Sequence, residues 1–551
     1  MEAQMQLGNY LVAYLRRIGL THLFGIPGDL VIQLFMKFGQ PHDIRVITSS
    51  HEPGAGFAVD GYARATGKIG VLCVTYGAGG HNVVNSVAGS YSERVPVLVI
   101  SGGPGEEKRK LGVLVHHQAR EVESQFHIFQ EITCAAKIID DPRTAATDID
   151  EVVQDIWRHQ QPGYIEIHQD MVEQEICVPA RIREWDGSFS RTPSDTQKVE
   201  EAVRETTVRL NQAREPAIII GIETFRHHLT TDIITLVEKI GGPCLTTVLA
   251  KGAFPMDHPQ YMGVHIGAIS PAPIRKRIEE SDLVLHLGSL LTDMNLGSQP
   301  QYIDRHHSIW AAENKVHVSF HTYTEVTIEA YVQSLLQAPL RLHREEITYY
   351  DNLAPQPPGD DRAVQVSDML WEVNTFLDGR EGYMVVAEAG DMLFAGLDIK
   401  IGQGGGYLAQ GYYASMGFGV PGALGAQLGT GQRPIVLCGD GAFQMTGSEI
   451  SYAPRHKLNP IVLVMNNGGW GIFRPVSERQ DLLTIPPWPY ATLAQEWGGK
   501  GLQAATVQEL RQALVEADRT SSFVIIEVMV SPRDLSPVTE KYIKASVGGS
   551  Q

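Results

Sequence analysis

Residues 433–471 read RPIVLCGDGAFQMTGSEISYAPRHKLNPIVLVMNNGGWG, and this stretch decides the fold class. Two apolar, β-branched runs, residues 435–438 and 461–465, enclose a segment with helical character. Such runs predict adjacent buried strands of a parallel sheet that are joined by a helix. Gly439-Asp440-Gly441 follows the first run and Asn466-Asn467 follows the second. Both polar clusters therefore fall at the carboxyl ends of strands, where open α/β sheets bind ligands.

The two polar clusters contain the oxygen ligands that Mg²⁺ prefers. The Asp440 carboxylate, the Asn467 amide oxygen and the Gly469 carbonyl suit an ion that completes its octahedron with phosphate and water. Asn467 lies 27 positions after Asp440. A lone GDG is a common turn, but GDG with NN at this spacing resembles the diphosphate-binding motif of thiamine-diphosphate enzymes. The resemblance implies that the cofactor also contacts Gly439, Gly441 and Ala442.

Composition and charge narrow the class of protein. A chain of 551 residues with 43% hydrophobic and 20% charged residues predicts a globular protein of about three domains. The amphipathic start lacks the basic segment followed by an apolar segment that is typical of a signal peptide. Five scattered cysteines without a C-x-x-C motif favour a reducing compartment. We therefore predict a cytoplasmic protein without a membrane partner. The net charge of −18 argues against nucleic acid as a partner.

Strand-like and helix-like segments alternate along the whole chain, which predicts an α/β fold with parallel sheets. The last block repeats the rhythm of the first, so we expect two related doubly wound domains that flank a middle one. The resemblance implies a pyrimidine-binding domain at residues 1–180, a middle domain at 195–340 and a diphosphate-binding domain at 362–551.

Glu52 is the candidate carboxylate for activating the cofactor. Thiamine diphosphate acts through its thiazolium C2, which loses a proton to the cofactor's own aminopyrimidine when a carboxylate hydrogen-bonds the ring nitrogen. Residues 51–67, HEPGAGFAVDGYARATG, place Glu52 at a strand end, before Pro53 at a first helical position. A glutamate that only favours the helix dipole is the alternative. The whole segment closely resembles the family's activating block, which implies the catalytic role.

Two further features resemble the pyruvate and indolepyruvate decarboxylase group within that family. Asp29 ends FGIPGD and matches the group's substrate-side aspartate, and His116-His117 in LGVLVHHQARE matches its paired histidines. Two solvated loop histidines are the alternative. An imidazole near pH 7 can hold a carboxylate or relay a proton. The resemblance implies that Asp29, His116 and His117 are catalytic.

The last block supplies the expected cradle for the cofactor. Glu388-Ala389-Gly390-Asp391 resembles the turn that meets the diphosphate, and YYASMGFGVPGALGAQ resembles the segment that passes under the cofactor. The resemblance implies that Gly390 and Asp391 contact the cofactor. It also implies that the Ala414 carbonyl accepts the 4′-amino group and that Met416 forces the bent cofactor conformation.

One residue departs from the group's pattern. Pyruvate and indolepyruvate decarboxylases carry a glutamate over the thiazolium where this chain has Phe473, and the change looks most like bacterial phenylpyruvate decarboxylases. Proton handling then falls more heavily on Asp29 and the histidine pair. The residues predicted to line the substrate pocket are Thr75, Ile472, Phe473 and Val476.

The resemblance implies a Mg²⁺- and thiamine-diphosphate-dependent decarboxylase that converts an aromatic or long aliphatic 2-oxo acid to an aldehyde. It also implies a homodimer or homotetramer with active sites between subunits. A carboligase of the same superfamily is one alternative, although carboligases generally lack the histidine pair. A non-catalytic nucleotide-binding protein is the other alternative. The presence of Glu52, Asp440 and Asn467 argues against it.

Overall fold

The structure is a computed structural model that describes residues 3–39, 44–190, 192–297, 304–350, 357–402 and 405–548. The chain divides into two compact units. The first unit comprises Met1–Arg191, Val420–Gly431 and Met445–Leu458, and the second unit comprises Thr192–Gly419, Gln432–Gln444 and Asn459–Gln551. The limits of the three domains stay a prediction.

The amino-terminal part of the first unit is an α/β layer around a parallel sheet. Its strands are β1 Ala3–Gln6, β2 His22–Gly25, β3 Arg45–Ile47, β4 Gly70–Val74, β5 Val97–Gly103, β6 Ala135–Ile139, β7 Gly163–His168 and β8 Glu175–Val178. Its helices are α1 Leu7–Arg17, α2 Ile32–Phe38, α3 Glu52–Thr66, α4 Ala78–Asn82, α5 Val84–Ser92, α6 Glu106–Lys110, α7 Ser124–Glu131, α8 Ala145–His159 and α9 Ala180–Arg183. Six strands pair in parallel in the order β3-β2-β4-β5-β7-β6, and β1 pairs with β8 in a small antiparallel sheet.

Both faces of the six-stranded sheet are buried. In β4, Val71 and Cys73 belong to one hydrophobic cluster, whereas Leu72 and Val74 belong to another. Successive strand residues point to opposite faces, so a strand that is covered on both sides has to be apolar at every position. This is why the strands of this block read as continuous apolar runs, and it leaves polar groups to the loops at the strand ends.

Helix α3 is held by a buried ion-pair network. The Arg64 guanidinium donates to Asp60 at 2.5 Å and to Glu93 at 2.6 Å, and none of the three side chains is accessible to solvent. A buried arginine with two carboxylates satisfies charges that would otherwise be costly to desolvate. Asp60 and Arg64 of the GFAVDGYAR segment therefore anchor the helix that carries Glu52.

The middle part of the chain lies in the second unit. Its strands are β9 Pro216–Ile220, β10 Cys244–Thr247, β11 Tyr261–His265, β12 Leu283–Leu287, β13 Ser308–Ala312, β14 Lys315–Val318 and β15 His321–Thr324. Its helices are α10 Thr196–Gln212, α11 Ile222–Arg226, α12 Thr230–Ile240, α13 Ala272–Glu280 and α14 Ile328–Gln337. The sheet order is β11-β10-β9-β12-β13-β14-β15, with parallel pairing up to β13 and two antiparallel strands at the edge.

The carboxyl-terminal part of the chain repeats the strand order of the first sheet. Its strands are β16 Tyr383–Ala387, β17 Gly406–Ala409, β18 Arg433–Gly439, β19 Ile461–Asn466, β20 Lys500–Ala504 and β21 Val524–Met529. Its helices are α15 Val366–Leu377, α16 Asp391–Ala395, α17 Gly419–Thr430, α18 Asp440–Thr446, α19 Ala453–His456, α20 Tyr490–Glu496, α21 Val507–Asp518 and α22 Pro537–Gly548.

These six strands are all parallel, in the order β17-β16-β18-β19-β21-β20. When the strands of each six-stranded sheet are numbered from its own first strand, both sheets have the same strand order. This is expected for two related domains. The two strands predicted around the GDG motif are confirmed, since β18 and β19 pair in parallel with Ile435 opposite Ile461. Within the part of the chain that the structure describes, no helix is long and apolar enough to span a bilayer.

Candidate functional site

Asp440 is a buried carboxylate at the carboxyl end of β18. It is the first residue of α18, and its Oδ1 accepts a hydrogen bond from the Gly441 N–H at 2.7 Å. Its Oδ2 accepts from the N–H groups of Gly468 and Gly469 at 2.7 and 3.0 Å. Burial raises the pKa of the Asp440 carboxyl, although these N–H groups oppose the shift. The GDG turn and the Asn-Asn-Gly-Gly turn are thus joined through one side chain.

Asn467 and Gly469 lie beside that carboxylate. The Asn467 Oδ1 accepts from the Gly469 N–H at 3.1 Å, and Asn467 is buried. Gly469 has a φ of 146°, and a Cβ there would lie 1.9 Å from the Leu483 carbonyl oxygen, so only glycine fits. The structure therefore brings together the predicted metal ligands Asp440, Asn467 and Gly469 at one edge of the sheet.

The chemistry of this donor set fits a hard divalent cation. Within the described residues, the Asp440 carboxylate has main-chain N–H donors and no ion-pair partner. A buried carboxylate without a counter-charge is costly, and a bound cation removes that cost. Gly439 ends β18, while Gly441 and Ala442 lie in the first turn of α18. The N–H groups of a first helical turn have no partner within the helix and can bind an anion. The Gly441 N–H is used by the Asp440 carboxylate.

Glu388 organises the loop that carries the predicted Ala414 and Met416. Its buried carboxylate accepts hydrogen bonds from the N–H groups of Ala389, Gly417 and Gly419 at 2.8, 3.2 and 2.7 Å. Burial raises the pKa of Glu388 from 4.5 to about 7, against the effect of these N–H donors. The sequence marks Glu388 only as part of a motif and does not predict that its side chain holds this loop.

The loop itself has an unusual backbone. Ala414 has a φ of 53°, in the left-handed region that non-glycine residues rarely adopt, and Gly417 has a φ of 97°. Such strain persists only where surrounding contacts hold it, and it is common at ligand sites. The Ser415 N–H donates to Gln410 Oε1 at 3.0 Å, which pins the residue between Ala414 and Met416.

Asp391 uses its side chain within the protein. Its Oδ1 accepts from the hydroxyls of Ser536 and Thr539, at 2.6 Å each, next to the start of α22. Burial raises the pKa of the Asp391 carboxyl. Gly390, with a φ of 99°, turns the chain into α16 directly before Asp391. A contact of this turn with a diphosphate therefore involves main-chain groups rather than the carboxylate.

Asp29, His116 and His117 form one polar cluster in the first unit. The Asp29 carboxylate forms a hydrogen bond with His116 Nε2 and lies 3.8 Å from His117 Nε2. Partial burial alone would raise the pKa of Asp29, but the hydrogen bond and charge of His116, with smaller effects of Leu30 and His117, lower it. The Asp29 and His116 side chains are 52% and 51% exposed, so the cluster is open to a ligand.

Thr75 is hydrogen-bonded to this cluster and lies in front of Gly79, as Glu52 does. The Thr75 hydroxyl donates to Asp29 Oδ1 at 3.4 Å. A Cβ on Gly79 would lie 3.1 Å from Thr75 Cγ2 and 3.5 Å from Glu52 Oε1, so the two side chains share the space in front of this glycine. The five predicted residues of the first unit, which are Asp29, Glu52, Thr75, His116 and His117, therefore gather at the loops beyond the strands.

Two polar side chains that sequence reasoning missed support this arrangement. Asn82 Nδ2 donates to Glu52 Oε2 at 3.0 Å. The buried Gln125 accepts from the Gly77 N–H at 2.7 Å and donates to Tyr164 and Ser101. A Cβ on Gly77 would lie 2.1 Å from the His117 carbonyl oxygen, so Gln125 holds the turn on which His117 rests. No local pattern marks either residue, because their partners are distant in the sequence.

The predicted substrate-side residues of the second unit are partly exposed. Phe473 ends a short 3₁₀ helix with 52% exposure, Val476 is also exposed, and Ile472 packs against the core. Leu482, in the same loop region, is exposed as well. Phe473 and Val476 share one turn, since the Val476 N–H donates to the Phe473 carbonyl at 3.1 Å. Neighbouring exposed apolar side chains indicate a surface that a ligand or another protein surface covers.

Three family models match the chain. They are the N-terminal TPP binding domain, the central domain and the C-terminal TPP binding domain of thiamine pyrophosphate enzymes, at residues 5–128, 203–338 and 389–528. An indole-3-pyruvate decarboxylase of Azospirillum brasilense is 34% identical and covers 98% of both chains. A pyruvate decarboxylase of Candida glabrata is 27% identical over 100% of both, and isozyme 3 of Saccharomyces cerevisiae is 28% identical over 90% of both.

Replacing Asp440 with Ala is expected to weaken retention of thiamine diphosphate by more than about 100-fold, because the ion between protein and phosphates loses its buried ligand. Titration of the apoprotein with the cofactor at fixed Mg²⁺, followed by fluorescence quenching, measures this. Asp481→Ala, at an exposed position in the same unit, is the control and should bind normally. Undiminished affinity in the Asp440→Ala variant would contradict the assignment.

The pKa of Glu388 predicts a pH-dependent stability. Because folding raises this pKa from 4.5 to about 7, ionising the buried carboxyl destabilises the folded apoprotein as pH rises through this window, by roughly 1–3 kcal/mol. This destabilisation is absent below pH 4.5, where the carboxyl is protonated in both states, and is constant above about pH 7, where it is ionised in both. The midpoint of thermal unfolding, compared between wild type and Glu388→Gln from pH 5 to 8, should show a wild-type advantage that shrinks with rising pH. The exposed Glu496→Gln variant should leave the pH dependence unaltered.

Replacing His116 or His117 with Ala is expected to reduce turnover by roughly 10²–10⁴-fold, the usual range for a positioned proton-transfer group. Steady-state kinetics should show the loss while exchange of the cofactor C2 proton stays near normal, since Glu52 is untouched. Ala at the exposed His127 serves as the comparison. Near-normal turnover in both variants would make the pair ordinary loop histidines.

Proposed function

Because the chain belongs to the thiamine-diphosphate-dependent 2-oxo acid decarboxylases, we propose that it converts an aromatic or long aliphatic 2-oxo acid to the corresponding aldehyde and CO₂, with Mg²⁺ as the metal. Membership of this family identifies the chain as a carboxy-lyase. The observation that carries the proposal is the Asp29–His116–His117 cluster, whose partner Thr75 lies in front of Gly79, as does the predicted activating carboxylate Glu52.

The second-unit residues bind and orient the cofactor in this proposal. Asp440, Asn467 and Gly469 hold Mg²⁺, and the turns at Gly390 and Ala442 present N–H groups to the diphosphate. When bound, thiamine diphosphate supplies a carbanion for the keto carbon and an electron sink for the departing CO₂. Glu388 holds the strained loop at Ala414 and Met416 in place beside it.

The first-unit residues carry out the proton transfers in this proposal. Glu52 hydrogen-bonds the aminopyrimidine nitrogen and thereby allows the C2 proton to leave. The histidine pair holds the substrate carboxylate and then supplies a proton to the carbon that has lost CO₂, and the Asp29 carboxylate positions the two imidazoles for this. A cluster that delivers this proton favours release of an aldehyde over carbon–carbon bond formation with a second carbonyl.

The substrate class follows from Phe473. An aromatic ring in place of the group's glutamate makes that side of the pocket apolar, which suits a large side chain of the substrate. The name of the relative from Azospirillum refers to an aromatic 2-oxo acid, which supports the same preference. A screen of pyruvate, branched, linear, indole and phenyl 2-oxo acids, with product analysis for aldehyde against hydroxyketone, tests the activity.

We also place the active enzyme in a homodimer or homotetramer with active sites between subunits, in the cytoplasm. The half-exposed Asp29 and His116 support the assembly, because proton transfer of this kind works in a site from which water is excluded. No disulfide joins the five cysteines, all of which the structure describes, and this supports a reducing compartment. Sedimentation of the holoenzyme and cell fractionation test these two points.

Phenylpyruvate, or a linear 2-oxo acid of at least about six carbons, is expected to exceed pyruvate in kcat/KM by about 30- to 150-fold. Burial of a benzyl or long alkyl chain in place of a methyl is worth roughly 2–3 kcal/mol. The Phe473→Ala variant should erode this preference, and Phe473→Glu should harm large substrates most because it places a charge against apolar groups.

The matched control is Val515→Ala, an exposed apolar residue of α21 in the same unit, which should keep the wild-type preference. A wild-type enzyme that prefers pyruvate would contradict the proposed substrate class. A Phe473→Ala variant with the wild-type ratio of phenylpyruvate to pyruvate would show that this side chain does not shape the pocket.

A further inference from the structure

Glu449 is a buried carboxylate that the proposed mechanism does not use. It lies in the 3₁₀ helix Gly447–Tyr452, belongs to the first unit and is 3% exposed. Its Oε2 accepts a hydrogen bond from the Ser50 N–H at 3.0 Å. Its Oε1 accepts from the Ser50 hydroxyl at 2.7 Å and from the His51 N–H at 3.1 Å. All three donors belong to the two residues that precede Glu52.

These bonds complete the start of α3. The residue at the N-cap, His51, makes no side-chain capping bond of its own. A helix start needs polar partners for its main-chain N–H groups, and a negative charge there is favourable to the helix dipole. Glu449 accepts the N–H of the N-cap residue His51 and places a negative charge beside the helix start. It does so from a segment that lies 399 positions away from Ser50 in the sequence. It thereby holds the extended backbone at His51, from which the Glu52 side chain departs.

Gly54 permits this close approach. A Cβ at Gly54 would lie 2.3 Å from Glu449 Oε1 and 2.4 Å from Glu449 Cδ. The carboxylate therefore rests directly on the first turn of α3, and any larger residue at position 54 would displace it. The contact between Glu449 and the helix start is tight enough to define the position of the backbone.

The carboxylate of Glu52 is held separately. Asn82 Nδ2 donates to Glu52 Oε2 at 3.0 Å and also lies 3.1 Å from His51 Nε2. Asn82 thus orients the end of the side chain, whereas Glu449 sets the backbone from which it starts. A side chain that is held at both ends loses little entropy when it meets its target.

We propose that Glu449 is a positioning residue for Glu52 and sets the rate at which the bound cofactor is activated. This rests on the proposed function, in which Glu52 allows the C2 proton of thiamine diphosphate to leave. Misplacement of a catalytic group by about 1 Å costs on the order of 100-fold in rate. Glu449 therefore affects activation of the cofactor, although it contacts neither the metal ligands nor the histidine pair.

The test uses the holoenzyme with saturating Mg²⁺ and thiamine diphosphate. Glu449→Gln keeps the size of the side chain but turns an N–H₂ group toward N–H donors. Exchange of the C2 proton for deuterium, followed by acid quench and NMR, should be about 10- to 100-fold slower, while the cofactor Kd changes by less than about 3-fold. Ser448→Ala, at the exposed neighbouring position, should exchange at the wild-type rate.

A double variant separates positioning from a merely structural role. If Glu449 acts through Glu52, then Glu449→Gln should not slow exchange further in a Glu52→Gln background. The inference would be overturned if the double variant were slowed by the product of the two single-variant factors. A wild-type exchange rate in Glu449→Gln would overturn it as well. Failure of the proposed function has a different signature, because Glu52→Gln alone would then exchange at the wild-type rate.

A milder variant serves if Glu449→Gln does not fold. Ser50→Ala removes only the hydroxyl hydrogen bond to Glu449 and leaves both main-chain bonds. It should slow C2 exchange by about 3- to 10-fold with an unchanged midpoint of thermal unfolding. An unchanged exchange rate in a folded Ser50→Ala enzyme would overturn the inference.

Discussion

Hydrogen bonds from main-chain N–H groups to buried carboxylates hold the functional loops of this protein. Asp440 joins two glycine-rich turns of the second unit, and Glu388 holds the strained loop at Ala414. Glu449 does the same for the start of α3 in the first unit. Loops outside the sheets have no strand partners for these N–H groups, and a charged acceptor gives stronger bonds than a neutral one. Removal of such an acceptor leaves several buried donors without partners at once.

The two six-stranded sheets explain why these loops fall together within each unit. Both sheets have the same strand order, and every strand runs parallel, so all carboxyl ends of a sheet lie at one edge. In one sheet this edge presents Asp29, Thr75 and Glu52, and in the other it presents Asp440 and Asn467. One topology thus supplies two different sets of polar groups, because the loops differ while the buried strands serve only packing.

The acidic character of the chain adds a constraint on the site. A net charge of −18 repels an anionic 2-oxo acid, so attraction has to come from local groups. The histidine pair beside Asp29 and the helix start at Gly390 provide such groups. A metal ion at Asp440 would add the largest positive charge of the site and would relieve the cost of that buried carboxylate.

The sequence by itself determined the α/β class, the adjacent strands β18 and β19, and the strand-end positions of Asp440 and Asn467, because apolar periodicity and strand-end motifs are local signals. Resemblance of these motifs added the cofactor and the reaction class, which the family matches confirm. Only the tertiary structure showed that Glu449 holds Ser50, that Gln125 supports the turn under His117, and that Glu388 holds the loop at Gly417. These partners are far apart along the chain, and a buried polar side chain leaves no periodic pattern that identifies the N–H group it will meet. Topology brings such groups within hydrogen-bond distance, so their roles were decided by the folded chain.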